Sequence, residues 1–228
     1  MESSDFRWLG GPAGRANAEG QLYGSTSNNG KPCKEPGSEA AAFGGGGAPV
    51  RSAWRRAGRT GPMFDDLLEA NRRYQEGFQD TGLSGVAARE LVVLTCIDSR
   101  IDPLGMLGLQ PGDAKIIRNA GARVTDDALR SLILATNLLN AKRICVVQHT
   151  DCAMTGRTEA ETRAKISEAR GIDAIGWEFL STTDQMSVFR KDVERLRGCE
   201  LLPPDVEIGT FIFDVRSGAL NPVDPEGA

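Results

Sequence analysis

From Met63 onward, hydrophobic and polar residues follow two distinct rhythms. In "MFDDLLEANRRYQEGF" (63–78), Phe64, Leu67, Leu68, Asn71, Tyr74 and Phe78 recur at the spacing of one helix face. Asp65 and Asp66 fall in the first turn, where carboxylates suit the helix dipole. "TDDALRSLILATNLLN" (125–140) predicts a second helix, with Thr125 as N-cap and a stripe of Leu129, Leu132, Ile133, Thr136 and Leu139. "MSVFRKDVERLR" (186–197) predicts a third.

The other rhythm is short, β-branched and nearly continuous. "ELVVLTC" (90–96) and "RICVVQH" (143–149) have the pattern of strands buried on both faces. "AKIIRNAG" (114–121) predicts a strand running into a glycine turn at Gly121, and "IGTFIFDV" (208–215) a last strand before the Ser217-Gly218 turn. Residues 155–185 are polar and broken by glycine. Trp177 and Phe179 there suggest a lid, an interface or a plain surface excursion. Strands alternating with helices predict an α/β fold with a mainly parallel central sheet flanked by helices. Ligands of such sheets bind beyond the carboxyl ends of the strands.

Residues 1–62 lack this patterning. They are rich in Gly, Ser, Asn, Ala and Arg, as in "AAAFGGGGAPV" and "RRAGRTGP", and cannot bury enough apolar area to offset ordering. Two readings stand for this stretch: a disordered tail, or an upstream segment with translation starting at Met63. Glu2, Asp5, Glu19, Glu35 and Glu39 argue against a transit peptide. The patterned domain is then 63–228.

Composition narrows the partners. The chain has 228 residues, 40% hydrophobic and 25% charged, with a net charge of -4. That balance supplies no positive field for nucleic acid. No apolar run is long enough to span a membrane, and no secretory signal is evident, so the expectation is a cytoplasmic protein. Five cysteines at irregular spacing, in that compartment, read as thiols or metal ligands rather than disulfides.

The candidate chemistry sits at two strand ends. Cys96-Ile97-Asp98-Ser99-Arg100 is C-x-D-x-R, and His149-Thr150-Asp151-Cys152 is H-x-x-C. Singly, each residue has a plain reading: Cys96 and Cys152 as small core residues, His149 as a strand-end histidine, Asp98 and Arg100 as a surface ion pair. Jointly, two Cys and one His at the ends of two strands of one sheet form a donor set suited to Zn²⁺, with a fourth position open. Two thiolates cancel the charge of the metal, so its Lewis acidity needs support from neighbours. Asp98 can orient a water there, or bind the metal and close the site. Arg100 can hold Asp98 off the metal by a charge-assisted pair, so the two form a latch. Cys145 reads as core, Cys199 as incidental, and Cys33 lies in the tail.

"CIDSR", "IIRNAGARVTDDALRSL", "HTDCAM" and "GTFIFDV" together resemble the beta-class carbonic anhydrases, over most of 63–223. The likeness is to the shorter branch, which carries Thr-Asp inside H-x-x-C. The resemblance implies a Rossmann-like subunit, with zinc held by Cys96, His149 and Cys152 and an Asp98–Arg100 dyad. The reaction it implies is reversible hydration of carbon dioxide to bicarbonate and a proton. It also implies a homodimer or homotetramer, with the N-terminal helix packed on a neighbour. The small-substrate pocket is placed at Gly121 and Ala153. Ala153 departs from the family, which usually has glycine after the second cysteine, and a methyl there is expected to narrow the pocket. Two alternatives share the site: hydrolysis of CS₂ or COS, and a closed-zinc binding module with Asp98 on the metal. The only histidine is a candidate ligand, so proton export is expected to depend on external buffer.

Overall fold

The structure is a computed structural model that describes residues 64–225 and 227. The expectations for 1–62, and for Cys33, lie outside the described residues. Five strands form one sheet: β1 (Leu91–Cys96), β2 (Ala114–Asn119), β3 (Arg143–His149), β4 (Glu207–Phe213) and β5 (Leu220–Pro222). Their order is β2-β1-β3-β4-β5. The first four run parallel, and β5 pairs antiparallel with β4. The expected α/β fold with a mainly parallel sheet is what the chain adopts.

Among the described residues, four α-helices accompany the sheet: α1 (Asp65–Gly77), α2 (Asp126–Leu138), α3 (Glu159–Arg170) and α4 (Gln185–Arg197). β1 and β3 carry the centre of the sheet, with Val92, Val93, Leu94, Val146 and Val147 fully buried. Alternation of side chains splits the core into two layers. Val92, Leu94, Ile144 and Val146 pack with Leu132 of α2 and Phe189, Val193 and Leu196 of α4. Val93, Cys145 and Val147 pack on the other side with Ile101, Ala122 and Phe213, beside Cys96 and Cys152.

Local signals explain the helix starts. The Thr125 side chain caps α2 by accepting from the Ala128 N–H at 3.3 Å. The expected stripe of α2 faces the core except at its end: Leu132 and Thr136 are buried together with Ala128 and Ala135, Leu129 and Ile133 pack against that core, and Leu139 is exposed. The small Ala side chains allow α2 to sit close on the sheet. α3 lies inside the stretch expected to be irregular. A capping box starts it, with Thr158 accepting from the Glu161 N–H and the Glu161 carboxylate accepting from the Thr158 N–H. β4 is not the last strand, because three residues after the Gly218 turn close the sheet edge.

α1 forms as its spacing predicts, but it contributes nothing to the core of this chain. Phe64, Leu67, Leu68, Tyr74 and Phe78 are each more than half exposed.

Candidate metal centre

The strand order reverses between β1 and β3: the chain leaves β1 for β2 on one side and returns to β3 on the other. Clefts of α/β sheets open at such switch points, beyond the carboxyl ends of the strands. Cys96 ends β1 and His149 ends β3, so the register of two neighbouring strands delivers both side chains to that point. A tight turn with left-handed Asp151 (φ 56) then folds Cys152 back beside them.

One ligand atom from each of Cys96, His149 and Cys152 lies within 4.8 Å of the other two. All three residues are buried. His149 Nδ1 donates to the Thr150 carbonyl at 2.9 Å, since that oxygen can only accept. This fixes the tautomer and aims the lone pair of Nε2 at the sulfurs. Nε2 is the one buried side-chain polar atom among the described residues that has no hydrogen-bond partner. An orphaned imidazole nitrogen facing two thiols fits a tetrahedral zinc ion, which takes sulfur and nitrogen donors and leaves a fourth position open.

The electrostatics agree. The hydrogen bond from the Cys152 thiol pulls Cys96 down to about 3, aided by His149 and by backbone N–H groups of Gly121 and Asp98. The same sulfur contact, with burial, pushes Cys152 well above the usual thiol range. Burial pulls His149 down, but the adjacent Cys96 sulfur and the Thr150 carbonyl outweigh it and raise the imidazole. Cys145, away from the cluster, is raised to about 11 by burial, as a core thiol should be.

A strained turn supports Cys96. Gly121 (φ 81, ψ 7) and Ala122 (φ 55) are consecutive left-handed residues just after β2. This conformation points the Gly121 N–H at the Cys96 sulfur, at 3.3 Å. Asn119 spans the turn: its Nδ2 donates to the Arg123 carbonyl at 2.6 Å, and the Arg123 N–H donates to its Oδ1 at 2.7 Å. Arg123 pairs with buried Asp192 of α4 at 2.6 Å and donates to the Leu180 carbonyl at 3.1 Å.

Asp98 stands beside the cluster, its Oδ2 3.9 Å from His149 Nε2. Both its oxygens accept from Arg100, at 2.9 Å from Nε and 2.8 Å from Nη2. Arg100 holds the Asp98 carboxyl well below its ordinary range, so it stays charged. Arg100 also donates to the Asp151 carboxylate and carbonyl, each at 3.0 Å. That second tether, which the sequence pattern does not reveal, joins the two motifs directly. Gly121 meets the cluster through its N–H on the Cys96 sulfur. Ala153 is exposed, and its φ is not left-handed, so its side chain imposes no backbone strain there.

A buried Cys-His-Cys cluster at the switch point of a parallel sheet defines a metal-dependent α/β protein of the zinc-binding kind. A family model for carbonic anhydrase matches residues 91–177. The chain is similar to beta-carbonic anhydrase 1 of Mycobacterium tuberculosis, 34% identical over 163 residues, which covers 72% of this chain and 99% of that protein. It is also similar to the carbon disulfide hydrolase of an Acidianus species, 39% identical over 183 residues, covering 69% and 89%. The crystal structure of carbonic anhydrase from Streptococcus mutans superposes with a TM-score of 0.68 at 35% identity, covering 73% of this chain and 100% of that one. The chain belongs to the beta-carbonic anhydrase family.

Proposed function

We propose that the protein catalyses reversible hydration of carbon dioxide to bicarbonate and a proton, at a zinc ion held by Cys96, His149 and Cys152. The observation that carries this reading is the unpartnered His149 Nε2 facing two sulfurs, with a charged Asp98 beside it held by Arg100. Zinc in such a site supplies the Lewis acidity that brings ionisation of water toward neutral pH. Asp98 accepts a hydrogen bond from the attacking water and orients its lone pair toward the carbon of the substrate. Arg100 keeps Asp98 ionised and keeps both its oxygens engaged, which favours the open site over closure by Asp98. Gly121 and Ala153 border the space for the small substrate. The released proton leaves through solvent and buffer, since the single histidine is occupied.

Hydrolysis of CS₂ at the same centre is the second reading, favoured by the 39% identity to a carbon disulfide hydrolase. Both substrates are linear heterocumulenes attacked at carbon, so access and pocket width decide between them. Stopped-flow hydration of CO₂ by zinc-loaded protein, at neutral and alkaline pH, tests the main reading. Activity at both pH values supports it, and activity only at alkaline pH supports a latch that Asp98 closes near neutrality. Sulfide release from CS₂ without CO₂ hydration overturns it in favour of the second reading, and inertness at every pH favours the closed-zinc module.

The functional unit we propose is a homodimer, alone or paired into a tetramer. The exposed apolar face of α1 supports it, since five large apolar side chains on the helix and its two flanking residues are costly to leave in water. No helix among the described residues is long and apolar enough to cross a membrane. We place the protein in the cytoplasm, a reading supported by free buried thiols at the candidate site.

A further inference from the structure

Arg118 belongs neither to the Cys-His-Cys cluster nor to the Asp98–Arg100 pair. It lies on β2, with its backbone in register with Thr95 of β1. Its guanidinium reaches past the strand end and donates to three backbone carbonyls of one loop. Nε binds Cys96 at 2.8 Å, Nη2 binds Asp98 at 2.7 Å and Nη1 binds Ile101 at 3.2 Å. That loop carries a proposed zinc ligand and the whole C-x-D-x-R motif.

Such a clamp is needed for a geometric reason. Arg100 and Asp98 are two residues apart in one loop, so their ion pair fixes the shape of the loop but not its place against the rest of the protein. Placement requires anchors from outside. Asp151 is one, but it grips only the Arg100 end and is mostly exposed. Arg118 grips the loop at its start, middle and end. The Asp98 carbonyl accepts from both Arg118 and the Ile101 N–H at 3.1 Å. Asp98 is thus held by its backbone from β2 and by its carboxylate from Arg100. The planar guanidinium fork has donors at fixed angles, which a lysine ammonium cannot reproduce across three carbonyls.

We propose that Arg118 is a positioning residue that sets where the Asp98 carboxylate stands against the metal position, an inference that rests on the hydration reading above. The test uses the full chain, loaded with Zn²⁺ for rates and with Co²⁺ for spectra, as R118A and R118K. Zinc stoichiometry should match that of the unaltered protein, because strand pairing and the Gly121 N–H still hold Cys96. The cobalt d–d bands of R118A should shift, and kcat/KM for CO₂ should fall roughly 10- to 100-fold, the scale of a small misplacement of a reacting group. Free guanidinium ion, below denaturing concentration, should restore both in R118A, and methylammonium should restore neither. R118K should behave like R118A.

A folded R118A with unaltered bands and rate overturns the proposal. So does full recovery in R118K, which would reduce the role to charge. If R118A does not fold, R118K alone decides by the same two readouts. The cobalt spectrum needs no turnover, so inactivity toward CO₂ would count against the hydration reading while the spectrum still judges the clamp.

Discussion

Replacing Gly121 by alanine separates backbone strain from support of the metal ligand. The residue sits at φ 81, ψ 7, and an added Cβ would lie 3.4 Å from Arg123 Cγ and from Met154 Cβ. Those are contact distances, so the cost lies in the left-handed backbone, about 1–2 kcal/mol. Gly171, at φ 65 and with no atom within 4 Å of an added Cβ, is the matched control at the end of α3. Both variants should lose roughly 2–8 °C in Tm, at about 2–4 °C per kcal/mol for a domain of this size. Of these two glycines, Gly121 alone donates to a ligand sulfur. If the turn relaxes in G121A, that N–H swings off Cys96, and a hydrogen bond to a charged acceptor is worth roughly 1.5–3 kcal/mol. Zinc affinity should then fall on the order of 10- to 100-fold. Thermal unfolding and chelator competition for zinc measure the two effects. Equal zinc affinity in G121A and G171A, with equal losses of Tm, would refute the supporting role of the Gly121 N–H.

Phe189 is fully buried on α4, and F189A should cost about 3–5 kcal/mol in urea unfolding; a loss under about 1 kcal/mol would mean the layer repacks around it. Zinc must displace the proton held on Cys152, whose thiol is raised by the Cys96 contact, so apparent zinc affinity should climb with pH through neutrality and uptake should release protons. Chelator competition that is flat with pH would contradict this. Turnover should rise with buffer concentration when buffer is scarce, since the only histidine is committed to the cluster; a buffer-independent rate would point to an internal proton path. Charges on the α1 face, as L67E with L68E, should lower the molar mass seen by light scattering, and an unchanged mass would remove α1 from the interface.

The strands were readable because each is a burst of β-branched residues, and β1, β3 and their chemical ends fall where the pattern puts them. The ligand set was readable for the same reason: periodicity placed Cys96 and His149 at strand ends, and H-x-x-C is local. α3 escaped because it buries no residue and so leaves no apolar stripe, although T-x-x-E at Thr158 and Glu161 was available as a start signal. β5 escaped because three residues containing Pro222 carry no strand signature. The Asp151 tether and the Arg118 grip depend on distances across the sheet, which no spacing along the chain encodes.

The parallel pairing of β1 with β3 also sets an order of events during folding. Thr95 and Val147, the last paired residues of β1 and β3 and joined by a side-chain hydrogen bond, are 52 residues apart in sequence. Contacts of such separation form late, because a long loop must close before they are rewarded. His149 and Cys152 are three apart and can chelate zinc while the chain is still unfolded, whereas Cys96 joins only once the crossover is complete. Metal present throughout refolding therefore binds the unfolded chain as well, and stabilises the native state by less than its affinity for the finished site implies.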